Sequence, residues 1–286
     1  MIKHKDVHSI EKMCRVLGVW KSGYYSFLKN PVSRRDLENT ELTLLIKKEY
    51  DKSRGVYGSP RITASLKQKG VKCSRPRVAR LMNKTDIKSR IRKSYKKTTN
   101  SEHGYEIVPN ILEQNFTTEA PNKIWASDIT YLKTNEGWLY LTVIIDLFNR
   151  EIVSFRRSKT LLAIDTTIPA LKKAYETRKP EAGLIFHSDK GVQYACKAFR
   201  DIIKSYGFRQ SMSAKGKCYD NAPSESFFKT LKAELIYLKK GGYTTRKLAE
   251  TEIFEYIECF YNTKRLHSYL GYLSPKDFLN NFKAAA

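Results

Sequence analysis

The 286-residue chain has no apolar stretch that approaches the roughly 18 residues needed to cross a bilayer. Its longest candidate, Leu139-Tyr-Leu-Thr-Val-Ile-Ile145, stops at Asp146 and reads as a strand. The residues after Met1 carry charges with no apolar core behind them, so neither a signal nor a transit peptide is expected, and the chain is placed in the cytoplasm. Cysteine is sparse. Cys14, Cys73, Cys196, Cys218 and Cys259 are odd in number, widely spaced and without a CxxC pair, which excludes a disulfide framework and a paired-cysteine zinc site. Acidic residues are also few, 29 against 53 Lys and Arg, leaving a formal net charge of +24. With 18 Tyr and 13 Phe among so many cations, the expected partner is a polyanion, and nucleic acid fits better than a membrane surface.

The charge is unevenly placed. Residues 51 to 100 hold 16 Lys or Arg against 2 Asp, a surplus of +14. Within this stretch, Ser59-Pro60 opens one helical pattern that Gly70 ends, and Ser74 caps a second that carries Arg75, Arg77 and Arg80 on its polar side. With a preceding helix over Asp36 to Tyr50, these form a basic helix-turn-helix region over 36–97, in which Arg61, Arg75, Arg77 and Arg80 are the candidate DNA contacts. Lys84 to Lys97 reads either as DNA-contacting or as a solvated linker, and its place after a basic helix favours DNA. Ahead of this region, Ile10, Met13, Cys14 and Leu17 share a face, Gly18 breaks the pattern, and Ser22 to Leu28 resumes it. Residues 1–30 are therefore a short helical segment, open between a helix-turn-helix and a plain α-hairpin. Ser33-Arg-Arg35 reads as a linker.

Residues 98–123 lose the basic bias and read as a connector. Beyond them come strands over 124–133, 138–147 and 151–157, a helix through Ile168, Leu171, Ala174 and Tyr175, and a buried strand ending at Asp189. A helix over Ala198 to Tyr206, a short strand near Gln210 to Met212, and a helix opened by Asn221 or Ser224 with Pro223 follow. Residues 241–286 form a helical extension. There Leu248 to Tyr261 is one helix, and the segment from Lys264 to Pro275, with Arg265 and His267, is expected on the surface near a DNA path.

Three acids stand out by context. Asp128 lies inside an aromatic and β-branched strand, Asp189 closes an apolar strand, and Glu225 sits in a helical first turn. Three carboxylates from two strands and a helix make an oxygen-only pocket, which suits Mg²⁺ or Mn²⁺ rather than zinc. Asp146 reads instead as a solvated or turn-capping acid. His187, two residues before Asp189, reads as a hydrogen-bonded core histidine.

The segments Trp125-Ala-Ser-Asp128-Ile-Thr-Tyr131, His187-Ser-Asp189-Lys-Gly-Val-Gln-Tyr194, Asp220-Asn-Ala-Pro-Ser-Glu225-Ser-Phe-Phe-Lys-Thr-Leu-Lys232 and Arg265-Leu-His-Ser-Tyr-Leu-Gly-Tyr-Leu-Ser-Pro275 carry a resemblance that spans most of the chain. They resemble the OrfB-type transposases of the insertion sequence 3 family, which have a DDE, retroviral-integrase-like core. Thirty-five residues separate Asp189 from Glu225, and a basic residue stands seven beyond the Glu.

The resemblance implies an α/β (α+β) RNase H-like integrase core over 124–240, with a mixed five-stranded sheet and flanking helices, preceded by a small all-α helix-turn-helix region. The order of the elements read above is that of the same fold. It implies Asp128, Asp189 and Glu225 as catalytic residues holding two Mg²⁺, with Mn²⁺ able to substitute, and no nucleotide cofactor. Lys232 is implied as a contact to the element's end, while Lys229, Gln193, Tyr194 and the segment Ser213 to Cys218 are further candidates beside the site. The expected activity is strand cleavage at insertion-sequence ends followed by 3′-hydroxyl strand transfer. Expected partners are double-stranded DNA, as terminal inverted repeats and target, a homodimer or higher oligomer on that DNA, and an upstream-frame (OrfA) protein or fusion. Rival readings are a DNA-binding regulator on an inactive integrase-like core and a simple RNase H-like nuclease.

Overall fold

The computed structural model describes residues 1–91, 108–214 and 218–285. The basic residues between 92 and 97, the first half of the connector and the tip of the Ser213 to Cys218 segment lie outside the described residues. The chain divides into two compact units, Met1–Ser89 and Arg90–Ala286.

The first unit is helical. Two short helices, α1 (Ile10–Val16) and α2 (Lys21–Lys29), flank Gly18, whose φ of +64° suits the left-handed turn between them. The longer α3 (Arg34–Lys52) begins earlier than expected. Ser33 accepts from the Asp36 amide and caps it, so Arg34 and Arg35 are the first turn of a helix and not a linker. After it come α4 (Ser59–Gln68), whose N-cap is Gly58 rather than Ser59, and α5 (Arg75–Lys84), capped by Ser74 as expected. These three helices bury Leu42, Ile46, Ile62, Leu66, Val78, Leu81 and Met82. Glu49 of α3 is buried as well. Burial raises its pKa, but hydrogen bonds from Lys69 and Ser65 outweigh that, and the carboxyl is held below its ordinary value.

The second unit is built on a five-stranded sheet of order β3-β2-β1-β4-β5. Its strands are β1 (Ile124–Thr134), β2 (Gly137–Asp146), β3 (Ile152–Ser158), β4 (Ile185–Ser188) and β5 (Arg209–Met212). The first three form an antiparallel meander, joined at β1–β2 by a tight turn over Asn135 and Glu136, after which Gly137 opens β2 with a φ of +105°. β4 and β5 then add in parallel beside β1, and a parallel neighbour needs a crossover. That crossover is α6 (Thr167–Arg178), while the four-residue helix α7 (Val192–Ala195) and α8 (Lys197–Ser205) lead from β4 to β5.

Alternation along the strands sorts the two faces. Trp125 and Ile129 of β1, Ile144 of β2, Val153 of β3 and Phe186 of β4 pack with α6 and α8 through Leu171, Ala174, Phe199 and Ile203. The opposite face receives α9 (Ala222–Glu234), packed against β1 and β2, and α10 (Arg246–Phe254). α10 does not run to Tyr261 as an α-helix. Residues Glu255–Tyr261 widen into a π-helical turn, after which α11 (Pro275–Ala285) closes the chain.

Two charged groups are more buried than the sequence led us to expect. Arg265, read as a surface cation, is 5% exposed and makes a two-pronged ion pair with Glu234 of α9 at 2.7 and 2.8 Å, and Tyr256 donates to the same carboxylate. Asp146 does cap a turn, accepting from the amides of Phe148 and Asn122 at 2.9 and 2.8 Å, but it is 2% exposed and not solvated.

Burial dominates those two hydrogen bonds and pushes the Asp146 carboxyl up to about 6. The native state therefore binds a proton that the unfolded chain releases near its ordinary value, so this group's stabilisation is present at low pH and is lost as pH rises to about 6. The loss is on the order of 3 kcal/mol. Urea unfolding at a series of pH values should show Asp146→Asn flattening that segment of the profile. An unchanged slope would show that Asp146 is not its source.

Candidate active site

The parallel pairing of β1 with β4 sets Ser127 opposite Ser188. One residue beyond that pair on each chain come Asp128 and Asp189, so the two acids emerge side by side at the carboxyl end of β4. Both are half-buried. Asp128 points to the α9 face, because Ser127 before it points to the other face, where its hydroxyl meets Tyr194 at 2.8 Å. Asp128 accepts from the Ile129 amide at 2.7 Å, and Asp189 accepts from the Gly191 amide at 2.9 Å. A side chain at 191 would start 3.0 Å from that Asp189 oxygen, so glycine leaves the carboxylate room.

Glu225 lies on the first turn of α9, more exposed than the two strand acids. Lys229 and Lys232 follow on the same helix, Lys229 exposed and Lys232 half-buried. The electrostatics link the cluster. Burial pushes the Asp128 carboxyl well above the usual range, the charges of Asp189 and Glu225 push it further, and the Ile129 amide and Lys232 pull it back. Burial raises Glu225 too, with Lys229 opposing. Lys232 is lowered by burial and partly restored by Asp128. The two strand acids are thus close partners, with Glu225 at a greater remove. Among the described residues, no three His, Cys, Asp or Glu side chains converge closely enough to form a ready-made ion cage. The donor set is nonetheless all carboxylate oxygen, the chemistry that suits Mg²⁺ or Mn²⁺. Burial and the charges of Asp189 and Glu225 disfavour the ionised form of Asp128, and a bound cation would offset that cost.

Several expectations on the surroundings change. Tyr194 is 1% exposed, its ring packed among Phe186 and Phe199 and its hydroxyl held by Ser127, so it is a core residue and not a DNA contact. Gln193 donates to the Leu161 carbonyl at 3.0 Å, bracing the loop after β3. His187 is fully buried, bonded to Ser211 Oγ at 2.9 Å and to the Asp220 carbonyl at 2.8 Å. Because a carbonyl only accepts, Nε2 carries the proton and Nδ1 accepts the serine hydroxyl. Burial lowers its pKa to about 4 and keeps it neutral. Asn221 occupies the N-cap of α9 without capping it, and its amide instead donates to the Ser127 carbonyl at 3.1 Å.

In the helical unit, Arg75 and Arg80 are exposed on α5. Arg77 reaches back to α3, 2.9 Å from Asn39 Oδ1 and 3.3 Å from Glu38 Oε2, and so braces the unit. Arg61 is half-buried over the Tyr57 ring, 5.5 Å from its centroid. The sequence reading missed Asp220, Asn110 and Gln114. Asp220 stood inside a quoted motif but was assigned nothing, and the other two sit in a connector with no local pattern.

Against known proteins, the integrase core domain family matches residues 118–218 and again 225–281, and the HTH-like domain family matches 36–95. The chain is 40% identical over 274 residues to the 31 kDa protein of insertion element IS600 of Shigella sonnei, covering 96% of this chain and 100% of that one. It is 37% identical over 280 residues to transposase InsF for insertion sequence IS3A of Escherichia coli K12, covering 97% and 96% of the two. Among solved structures, the HTLV-2 integrase catalytic core domain covers 56% of this chain and 95% of its own length, at 18% identity and a TM-score of 0.41. The family matches define the class, an integrase-core protein with a helix-turn-helix-like module. Within it, the chain belongs to the IS3-type family of insertion-element transposases. No helix among the described residues is long and apolar enough to cross a membrane.

The placement of Tyr194 makes a direct prediction. Tyr194→Phe removes the hydrogen bond to Ser127 but leaves Ser127 its own donation to the Val143 carbonyl at 2.8 Å. Stability should fall by about 1 kcal/mol in urea unfolding, while DNA affinity by fluorescence anisotropy stays at the wild-type value. A loss of DNA affinity with unchanged stability would return Tyr194 to the interface.

Proposed function

We propose that the chain cuts DNA at the ends of a mobile element and joins the freed 3′ ends to a target, with Asp128, Asp189 and Glu225 as the catalytic carboxylates. The observation that carries this reading is the arrangement of the acids. Asp128 within β1 and Asp189 just past the end of the parallel β4 stand side by side, and the third acid lies on the covering helix, close enough that its charge reaches Asp128. The three side chains would hold two Mg²⁺, or Mn²⁺ in their place, and such ions supply Lewis acidity that offsets charge on the attacking and leaving oxygens. Their oxygens are the anchor, and the sheet beneath fixes two of them in advance.

The chemistry is two displacements at phosphorus. Water first attacks a phosphodiester at the element's end and a 3′ oxygen leaves with a proton. That 3′-hydroxyl then attacks a second phosphodiester, exchanging one P–O bond for another, so neither a protein-bound intermediate nor a nucleotide is required. Lys232, beside Asp128 on the α9 face, offers its ammonium to the backbone of the bound end, with Lys229 one turn earlier on the same helix. Arg75 and Arg80 of α5 are the phosphate contacts of the helical unit, which reads the terminal repeats, whereas Arg77 ties α5 to α3 and Arg61 of α4 lies over the Tyr57 ring. The protein works as a homodimer or larger assembly on paired ends in the cytoplasm, on the nucleoid, and an upstream-frame protein or fusion is a partner.

The decisive experiment incubates the protein with Mg²⁺ and a labelled duplex bearing its element's ends. Wild type should give end-specific nicks and joined strands. Asp128→Asn and Glu225→Gln should each lose roughly three decades of rate, the several kcal/mol that cation-assisted phosphoryl chemistry supplies. Binding without cleavage by wild type under both Mg²⁺ and Mn²⁺ would favour a DNA-binding regulator.

A second measurement addresses the helical unit. The double variant Arg75→Ala, Arg80→Ala should weaken binding to all duplexes and flatten the plot of log affinity against log salt by about 2, given roughly 0.9 per phosphate contact. An unaltered slope would remove both residues from the interface.

A further inference from the structure

We infer that Asp220 is a positioning residue: its buried carboxylate, gripped by the connector residues Asn110 and Gln114, fixes the start of α9 so that Glu225 is held over Asp128 and Asp189. This rests on the catalytic reading of Glu225 above. Asp220 is 1% exposed. One carboxylate oxygen accepts from Asn110 Nδ2 at 3.0 Å and the Ala214 amide at 2.8 Å, and the other accepts from Gln114 Nε2 at 2.9 Å. Each partner presents an N–H, and Asn110 is fixed in that sense because its Oδ1 accepts from the Leu112 and Glu113 amides, so a carboxylate that accepts on both oxygens suits all three at once.

The backbone of the same residue is pinned as well. Its carbonyl takes the His187 Nε2 proton, and the other His187 nitrogen accepts from Ser211, whose oxygen accepts from the Ile111 amide at 2.9 Å. The next residue, Asn221, donates to the carbonyl of Ser127, the neighbour of Asp128. Residues 220 and 221 thus tie the entry of α9 to β4, β5, the connector and β1 within one network.

α9 needs this anchorage. Its N-cap makes no side-chain hydrogen bond to the helix, so Pro223 marks the first turn but no side-chain cap ties it down. Glu225 stands five residues after Asp220 and has no strand to hold it. A buried charge with three donors is a stiff attachment, whereas an unsatisfied one is costly, so the network favours one geometry strongly. Outer hydrogen bonds that orient metal ligands are worth about 10- to 100-fold in metal affinity.

The test uses the full chain and Mn²⁺ alone at fixed temperature, reading bound against free ion from the electron paramagnetic resonance signal of free Mn²⁺ as the cation is titrated. Asp220→Asn sets an amide against an N–H donor and should raise the half-saturating Mn²⁺ concentration about tenfold. It should also lower kcat for end cleavage without changing KM for DNA. Adding Gln114→Glu exchanges donor and acceptor across the same contact and should restore both values. If Asp220→Asn does not fold, Gln114→Leu, which removes one donor, should move half-saturation in the same direction by less. Wild-type half-saturation in whichever single variant folds, or no recovery in the double variant, would overturn the inference alone. A Glu225→Gln chain that binds Mn²⁺ and cleaves as wild type does would overturn the catalytic reading and the inference with it.

Discussion

The structure of the core turns on a repulsion. Asp128 within β1 and Asp189 just past the end of β4 stand at the same level, half out of water, with a third acid on the helix above, and burial together with the field of the other two lifts the Asp128 carboxyl. Like charges in such a setting drive apart any support that can yield. The support does not yield. β1 is the middle strand of five, hydrogen-bonded to β2 along its length and to β4 over Ile124–Ser127, with Trp125 and Phe186 in the core below. Burying that much aromatic and aliphatic surface offsets the cost of holding two carboxylates together.

Glu225 is held by other means. A helix can deliver a side chain to a sheet edge only as accurately as its own ends are fixed. α9 is fixed at both. At its beginning, Asn221 reaches the Ser127 carbonyl while the neighbouring Asp220 joins the connector. Near its end, Glu234 is gripped by the buried Arg265 and by Tyr256. A buried ion pair of this kind contributes little net stability, because desolvation offsets its attraction, but breaking it costs much, so it selects one packing over others. The π-helical turn over Glu255–Tyr261 belongs to the same construction, since it carries Tyr256 to Glu234 just before the chain turns back through Arg265.

Much of this was legible in the sequence because it depends on local pattern. Apolar, aromatic and β-branched runs marked the strands to within a residue or two, and Ser74 marked the start of α5. The order of strands and helices, with the three acids and their neighbours, was enough for the fold and the family. Long-range pairing was not legible. Tyr194 and Arg265 have side chains common on nucleic-acid surfaces, and only the fold reveals that one lies under β1 and the other faces Glu234. Asp146 looked like a hairpin acid open to water until the connector closed over it through Asn122. Asn110 and Gln114 lie over a hundred positions before Asp220, in a stretch without period or charge bias, so no pattern could have joined them.

The same contrast separates the two kinds of basic residue. An arginine that binds phosphate must keep its donors unspent, while one that braces the fold spends them within it. Arg77 is committed to Asn39 and Glu38, and Arg265 to Glu234. Arg75 and Arg80 remain on the outer face of α5, Arg80 giving its Nε to the Pro76 carbonyl one turn back. Lys232 falls between the classes. It is half-buried beside Asp128, lowered by burial and partly restored by that acid. A lysine so placed softens the repulsion among the carboxylates and still presents an ammonium at the edge where α9 meets the sheet. The helix that carries the third acid therefore also carries its partial countercharge, seven residues on. Moving α9 would disturb both together, which is why anchoring its first turn matters to the whole site.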